Sequence, residues 1–194
     1  MPHPIELILP GEPAAVRLMN TVWADRSGVH DALDDVEDLR TFLAGTGVTG
    51  GGGVRVDPAH LWQARRLRDA LRRLASAVVD DDRPRAATDL TEGEALDAVN
   101  AAMAAAPGRV LRRTADGWAL GHADEETVDA ALGALAQEGA ELVADPVRRL
   151  RACRAPGCVL YFVRDHHRRE WCSVSCGNRA RAARYYRRSR SAGA

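Results

Sequence analysis

Over the first 145 positions apolar residues recur mainly at intervals of three and four, the period of helices that bury one face. Val16, Met19 and Trp23 follow Pro13 at that spacing and predict a first helix, and Val36, Leu39 and Leu43 predict a shorter one closing near Gly45. Asp57 before Pro58 is a cap and first-turn pair. It opens a long helix whose Leu67, Leu71, Leu74 and Val78 share one side, and the acidic run Asp80 to Asp82 ends it. Thr91 and Glu94 have capping-box spacing and start a helix with Leu96, Val99 and Met103 that Pro107 and Gly108 stop. The period then changes: Val110–Arg113 and Trp118–Leu120 flank Asp116 and Gly117, which predicts a β-hairpin. Asp124 is positioned to cap a last helix carrying Val128, Leu132, Leu135 and Leu142, and Asp145-Pro146 closes it.

The expected fold class is therefore mainly α with a small β-hairpin, divided at Pro146. Residues 1–145 form a helical domain and 146–194 a small C-terminal module. A chain of 194 residues with 46% hydrophobic content buries a real core without staples. The Gly-rich run from Gly45 to Gly53 lacks the Lys-Ser/Thr of a phosphate loop and reads as a linker.

Charge reinforces the division. The formal net charge is zero, but residues 147–194 hold thirteen Arg against Asp165 and Glu170, or +11, whereas the preceding residues set fourteen Arg against twenty-five acids, or −11. Every basic residue is Arg, so Arg abundance alone carries little weight, but its clustering predicts a polyanion partner for the tail. The Arg65, Arg66, Arg68, Arg72 and Arg73 group on the long helix reads instead as a solvated face paired with nearby acids. No apolar run reaches membrane-helix length and no basic leader precedes an apolar stretch, so a cytoplasmic protein without membrane contact is expected.

Four thiols gathered within 24 residues of such a protein predict a metal rather than disulfides. Cys153, Cys158, Cys172 and Cys176 read C-x4-C-x13-C-x3-C, two close pairs that each supply one edge of a tetrahedron, the arrangement a single structural Zn2+ takes. Pro156 and Gly157 provide the tight turn within the first pair. Val159–Val163 is β-favouring and Glu170–Cys172 is placed to return as its partner strand. Ser173 or Ser175 then caps a helix with Cys176 in its first turn. Knuckle, hairpin and helix make a treble-clef-like zinc finger. His166 or His167 remains an alternative ligand to one thiol.

After Cys176 the segment is helix-compatible, and Arg181, Arg184, Arg187 and Arg188 recur at helical spacing as a cationic face. Arg179 adds to it, Asn178 is suited to the backbone or to adenine, and Arg168 and Arg169 of the preceding turn are candidate phosphate grips. Tyr185 and Tyr186 either pack the finger or touch the nucleic-acid backbone.

The stretch Trp171-Cys172-Ser173-Val174-Ser175-Cys176-Gly177-Asn178-Arg179 closely resembles the CGNR zinc-finger family, the likeness running from Arg149 to about Arg188. It implies that the four Cys are zinc ligands and that the finger binds DNA. The stretch from Phe162 to Cys172 is shorter than in many members. Leu18-Met19-Asn20-Thr21-Val22 is similar to the stress-induced transcription regulator (ABATE-like) domain that accompanies this finger. The reading is a bacterial regulator with DNA as partner, a helical body open to a small-molecule effector, and room for a homodimer. The rivals are a zinc-stabilised protein-interaction module and a redox sensor. No catalytic set is visible and no enzyme is expected: His3, His30, His60 and His122 stand singly. A hidden site in the body would draw on Asn20, Trp23 or His122.

Overall fold

The computed structural model describes residues 9–46, 55–84, 87–106, 108–122, 127–147 and 149–192. His3, most of the Gly-rich run, Pro107, Asp124 and the His122 side chain lie outside what is described. Helix α1 (Ala14–Met19) is followed by strands β1 (Val22–Ala24) and β2 (Val29–Asp31), then α2 (Val36–Thr46), α3 (Pro58–Val78) and α4 (Glu92–Ala105). Strands β3 (Arg109–Thr114) and β4 (Gly117–His122) precede α5 (Val128–Ala144), strands β5 (Leu150–Ala152) and β6 (Tyr161–Val163), and α6 (Val174–Ala192). Each consecutive strand pair forms its own two-stranded antiparallel sheet, so the molecule is mainly helical with three small ribbons. Among the described residues no helix is long and apolar enough to cross a membrane.

Local chemistry sets the helix starts as read from the sequence. Asp57 accepts from the His60 amide while the His60 ring accepts from the Asp57 amide, and Thr91 and Glu94 make the same reciprocal pair. At α5 the cap is Thr127, which accepts from the Ala130 amide, and not the expected Asp124. The β3–β4 hairpin pairs Leu111 with Leu120 and Arg113 with Trp118 about Ala115-Asp116, and Gly117 takes φ +127.

One expectation fails for reasons of packing. Trp23 does not extend the first helix: α1 stops at Asn20 and Trp23 lies in β1, paired with His30 in the ribbon and stacked on it at 4.4 Å. On α4 the inward side is Ala95 and Val99, while Leu96 and Met103 face solvent. Small residues are required there because α4 runs against α3 and α5 at close range. A Cβ on Gly133 of α5 would lie 2.1 Å from the Ala106 Cβ just past α4.

The core does not stop at Pro146. One buried cluster joins Val16 and Leu18 of α1, Leu67 and Leu71 of α3, Leu132 and Leu135 of α5, and Leu150 and Tyr161 of the β5–β6 ribbon. The division at Pro146 is thus a change in chemistry across a shared core. The Arg group of α3 is only partly a solvated face: Arg65, Arg66 and Arg73 are half-buried, and Arg65 and Arg73 meet Asp34 and Glu92 as expected. Arg68 and Arg72 are buried: Arg68 reaches Asp31 at 2.6 Å and Asp69 at 2.9 Å, and Arg72 donates to the Met19 carbonyl at 2.8 Å. Their charges are spent inside the molecule.

Candidate metal centre and basic surface

The four cysteines arrive on three different pieces of backbone. Strand β5 runs into Cys153, whose amide donates to the Leu160 carbonyl at 2.9 Å. The knuckle closes as the Cys158 amide donates to the Ala155 carbonyl at 3.0 Å with Gly157 at φ +74, a left-handed geometry that costs glycine little. Cys172 precedes Ser173, whose hydroxyl accepts from the Cys176 amide at 3.2 Å and so caps α6 with Cys176 in its first turn. The expected return strand Glu170–Cys172 does not form. The partner of β6 is Leu150–Ala152, which places the knuckle in the ribbon's loop and leaves Cys172 on irregular chain.

All four sulfurs lie within 4.8 Å of one another and all four residues are buried. Cys172 Sγ is 3.9 Å from Cys158 Sγ and 3.5 Å from Cys176 Sγ. Sulfurs at ~2.3 Å from a common tetrahedral centre are separated by about 3.8 Å, whereas a disulfide requires about 2.05 Å. The spacing therefore fits one ion and no disulfide. His166 and His167 stand apart from this set, exposed and 4.3 Å from each other, and do not replace a thiol.

Proton affinities in the cluster show the same crowding. Hydrogen bonds from Cys153, and then from Cys158 and Cys172, hold the Cys176 thiol far below the usual thiol range. Cys158 lowers Cys153 to about 7, while the pairing with Cys153 pushes Cys158 and Cys172 up. The thiols cannot all ionise against one another without a cation between them. Four thiolates about Zn2+ leave a doubly negative centre, and cationic side chains surround it. Arg179 Nη2 lies 3.2 Å from Cys176 Sγ, Arg169 Nη2 donates to the Cys172 carbonyl at 3.2 Å, and Arg83 Nη1 donates to the Cys153 and Cys158 carbonyls at 2.9 Å each. The residues present fit one structural zinc ion.

The helical body clamps this centre from outside. Asn20 closes a two-way bond with Tyr161, its Nδ2 donating to the carbonyl at 2.9 Å and its Oδ1 accepting from the amide at 2.8 Å. The Asn20 side chain thus ties α1 to the finger. The guanidinium groups of Arg72 and Arg83 each lie 5.3 Å from the centre of the Tyr161 ring, and its hydroxyl donates to Asp81 at 2.8 Å. Burial, with Asp81 beside it, pushes the Tyr161 phenol up to about 12 from its usual 10. A raised phenol favours the folded state below the unfolded pKa, and that benefit is lost as pH rises from about 10 to 12, on the order of 3 kcal/mol. Stability measured over that range should fall steeply, and Tyr161→Phe should flatten the fall.

Outside the clamp lies a basic surface. Arg181, Arg184 and Arg188, at successive helical turns, line a concavity with Trp171, Tyr185 and Glu170. Glu170 also borders a second one, lined by Arg151, Arg154, Arg164 and His167 on the ribbon side. Gly177 lets the two parts of the finger approach closely: a Cβ there would lie 3.1 Å from the Trp171 ring, which would have to give by a few tenths of an ångström. Asn178 accepts from Arg181 at 2.5 Å and orients it. Arg168, Arg179, Arg187 and Arg188 are exposed. Arg169 is not a free grip: it pairs with the buried Glu12, donates to the Val163 carbonyl at 3.0 Å and lies over the Phe162 ring. Sequence reasoning missed Arg151 and Arg164, which the ribbon pairing brings to the same side as His167, and it missed the clamp residues Glu12, Arg72, Asp81 and Arg83.

A buried four-thiol centre at the base of an Arg-rich helix, docked on a helical body, defines a zinc-finger protein whose metal is structural. The chain belongs to the family described as "Putative stress-induced transcription regulator" (ABATE), whose model matches residues 12–146. The model of the CGNR zinc finger matches residues 149–189. No curated protein matches the chain.

Proposed function

We propose that this protein is a DNA-binding transcription regulator in which zinc, held by Cys153, Cys158, Cys172 and Cys176, orders the finger and fixes α6 as the DNA-facing element. The observation that carries the reading is the basic surface about Glu170. There Arg181, Arg184 and Arg188 of α6 continue toward Arg151 and Arg164 of the ribbon. Guanidinium groups on a rigid scaffold suit phosphate oxygens, and their release of counterions makes such binding salt-dependent. The exposed Arg168 and Arg187 are further phosphate contacts on this reading, whereas Arg179 lies against Cys176 Sγ at 3.2 Å. Asn178 positions Arg181, and Arg169 is assigned to holding the finger on the body. Glu170 sits between the two basic stretches and opposes phosphate there.

The test is duplex DNA binding by the zinc-loaded full chain across a salt series, beside an Arg181→Ala/Arg184→Ala/Arg188→Ala variant. If each Arg meets one phosphate, the slope of log K against log salt becomes shallower by about 2 to 3 in the variant. Zinc content and thermal stability should stay unchanged, because these side chains lie outside the core. Zinc-loaded protein without DNA affinity at low salt would turn the assignment toward an acidic protein partner.

A further inference from the structure

The helical body carries a cleft that neither its core nor the finger uses. One compartment lies between α3 and residues 87–90, lined by Trp62, Arg65, Arg66, Asp69, Arg72 and Thr88. The other is apolar, walled by Leu67 and Leu132 and by Ala98 and Ala102 of α4. Trp62 and Arg66 border both, with the Arg66 guanidinium 5.6 Å from the centre of the indole, which is 62% exposed. A large aromatic left open beside an apolar recess is an unfilled wall.

The polar compartment presents donors. The Thr88 hydroxyl oxygen is buried and has no hydrogen-bond partner, a cost that folded proteins seldom carry without a ligand or water to relieve it. Arg66 borders the compartment and Arg72, 2% exposed, forms part of its lining. Arg65 is committed to the Leu33 and Asp34 carbonyls at 2.7 and 3.0 Å, and the Asp69 carboxylate is taken up by Arg68. The complement is an acceptor-rich group. Asp69 and Asp89 border the same space and disfavour a multiply charged anion, while the apolar compartment calls for a hydrophobic body.

We infer that this cleft binds a small organic monocarboxylate, its acid group between Arg66 and Thr88 and its apolar part across Trp62 against the alanines of α4. Arg72 links the site to the finger, since the same guanidinium donates to the Val159 carbonyl at 3.4 Å and lies against the Tyr161 ring. On this inference, occupancy beside Arg72 steadies residues 159–161 next to the knuckle. Only the regulatory meaning of that link rests on the proposed function, so binding is tested without DNA.

The experiment is thermal unfolding of the zinc-loaded full chain titrated with benzoate, benzamide or inorganic phosphate, in the native protein and in Arg66→Gln and Thr88→Val variants. Benzoate should raise the midpoint saturably, benzamide and phosphate should not, and each substitution should weaken benzoate at least about tenfold, the weight of one charge-assisted hydrogen bond. Thr88→Val should leave the unliganded midpoint unchanged or higher, which separates ligand binding from a folding role. Saturating benzoate should also slow zinc loss to a chelator. The inference is overturned if benzoate gives no saturable shift, if benzamide or phosphate matches it, or if both variants bind benzoate normally. An unchanged zinc-loss rate at saturation overturns the link to the finger.

Discussion

Replacing Cys172 by Ser is expected to abolish zinc retention and to lower the stability of the whole molecule rather than of the finger alone. Cys172 Sγ has two cluster neighbours within 4 Å, Cys158 and Cys176, so its loss opens the centre from the middle. Structural zinc sites of this kind supply an apparent ~10–16 kcal/mol, far more than any other contact in the finger. The ribbon β5–β6 has three paired positions and cannot hold itself. Its Leu150 and Tyr161 belong to the main core, so their release exposes Val16, Leu67 and neighbouring apolar surface. Denaturant unfolding should show one transition that moves to lower denaturant on chelation. Two separate transitions, with the body unmoved, would mean that the shared core contributes little.

The second large effect is expected at Arg83→Met. Arg83 holds Asp81 at 2.5 Å and the two knuckle carbonyls at 2.9 Å, and the Asp81 side chain is 1% exposed. Burial raises the Asp81 carboxyl, but the bonds and charge of Arg83 together with the Tyr161 hydroxyl outweigh it and hold the group below its usual range. Removing the guanidinium leaves that buried carboxylate only the Tyr161 hydroxyl at 2.8 Å and Arg154 at 3.9 Å, and loosens the knuckle from the body. The expected loss is about 3–5 kcal/mol. A depressed carboxyl stabilises the folded state above its unfolded pKa, and this contribution disappears as pH falls through the folded value. The native protein should therefore lose stability in acid, and the Arg83→Met protein should show less of that acid dependence. Combining Arg83→Met with Asp81→Asn should cost less than the sum of the single changes by at least about 1 kcal/mol, because the two groups act as one unit.

What the sequence showed was local chemistry. Asp57 and Thr91 cap their helices through contacts three residues away, and Gly157 turns the knuckle within its own loop. The cysteine spacing was legible because zinc geometry constrains close pairs. What escaped were partners distant in sequence. Leu150–Ala152 displaced Glu170–Cys172 as the strand beside β6, a choice that backbone propensity does not make. Asn20 pairs with Tyr161 across 141 positions, and Arg72 reads as one more charged residue on a helix until α1 and the finger are packed around it. Leu96 and Met103 marked this helix but not its inward side, because alanine, not leucine, fits the narrow gap between α4 and α5. Arg169 lies within a basic stretch, and only the fold brings Glu12 to meet it.

The most direct test of a zinc-ordered, DNA-binding finger is duplex DNA affinity at low salt for one preparation in three states: zinc-loaded, chelator-stripped and zinc-restored. The account predicts salt-sensitive binding with one zinc per chain, its loss on stripping, and its return with the metal. Equal DNA affinity in all three states would contradict it, because the Arg residues would then bind without the scaffold that zinc is held to build.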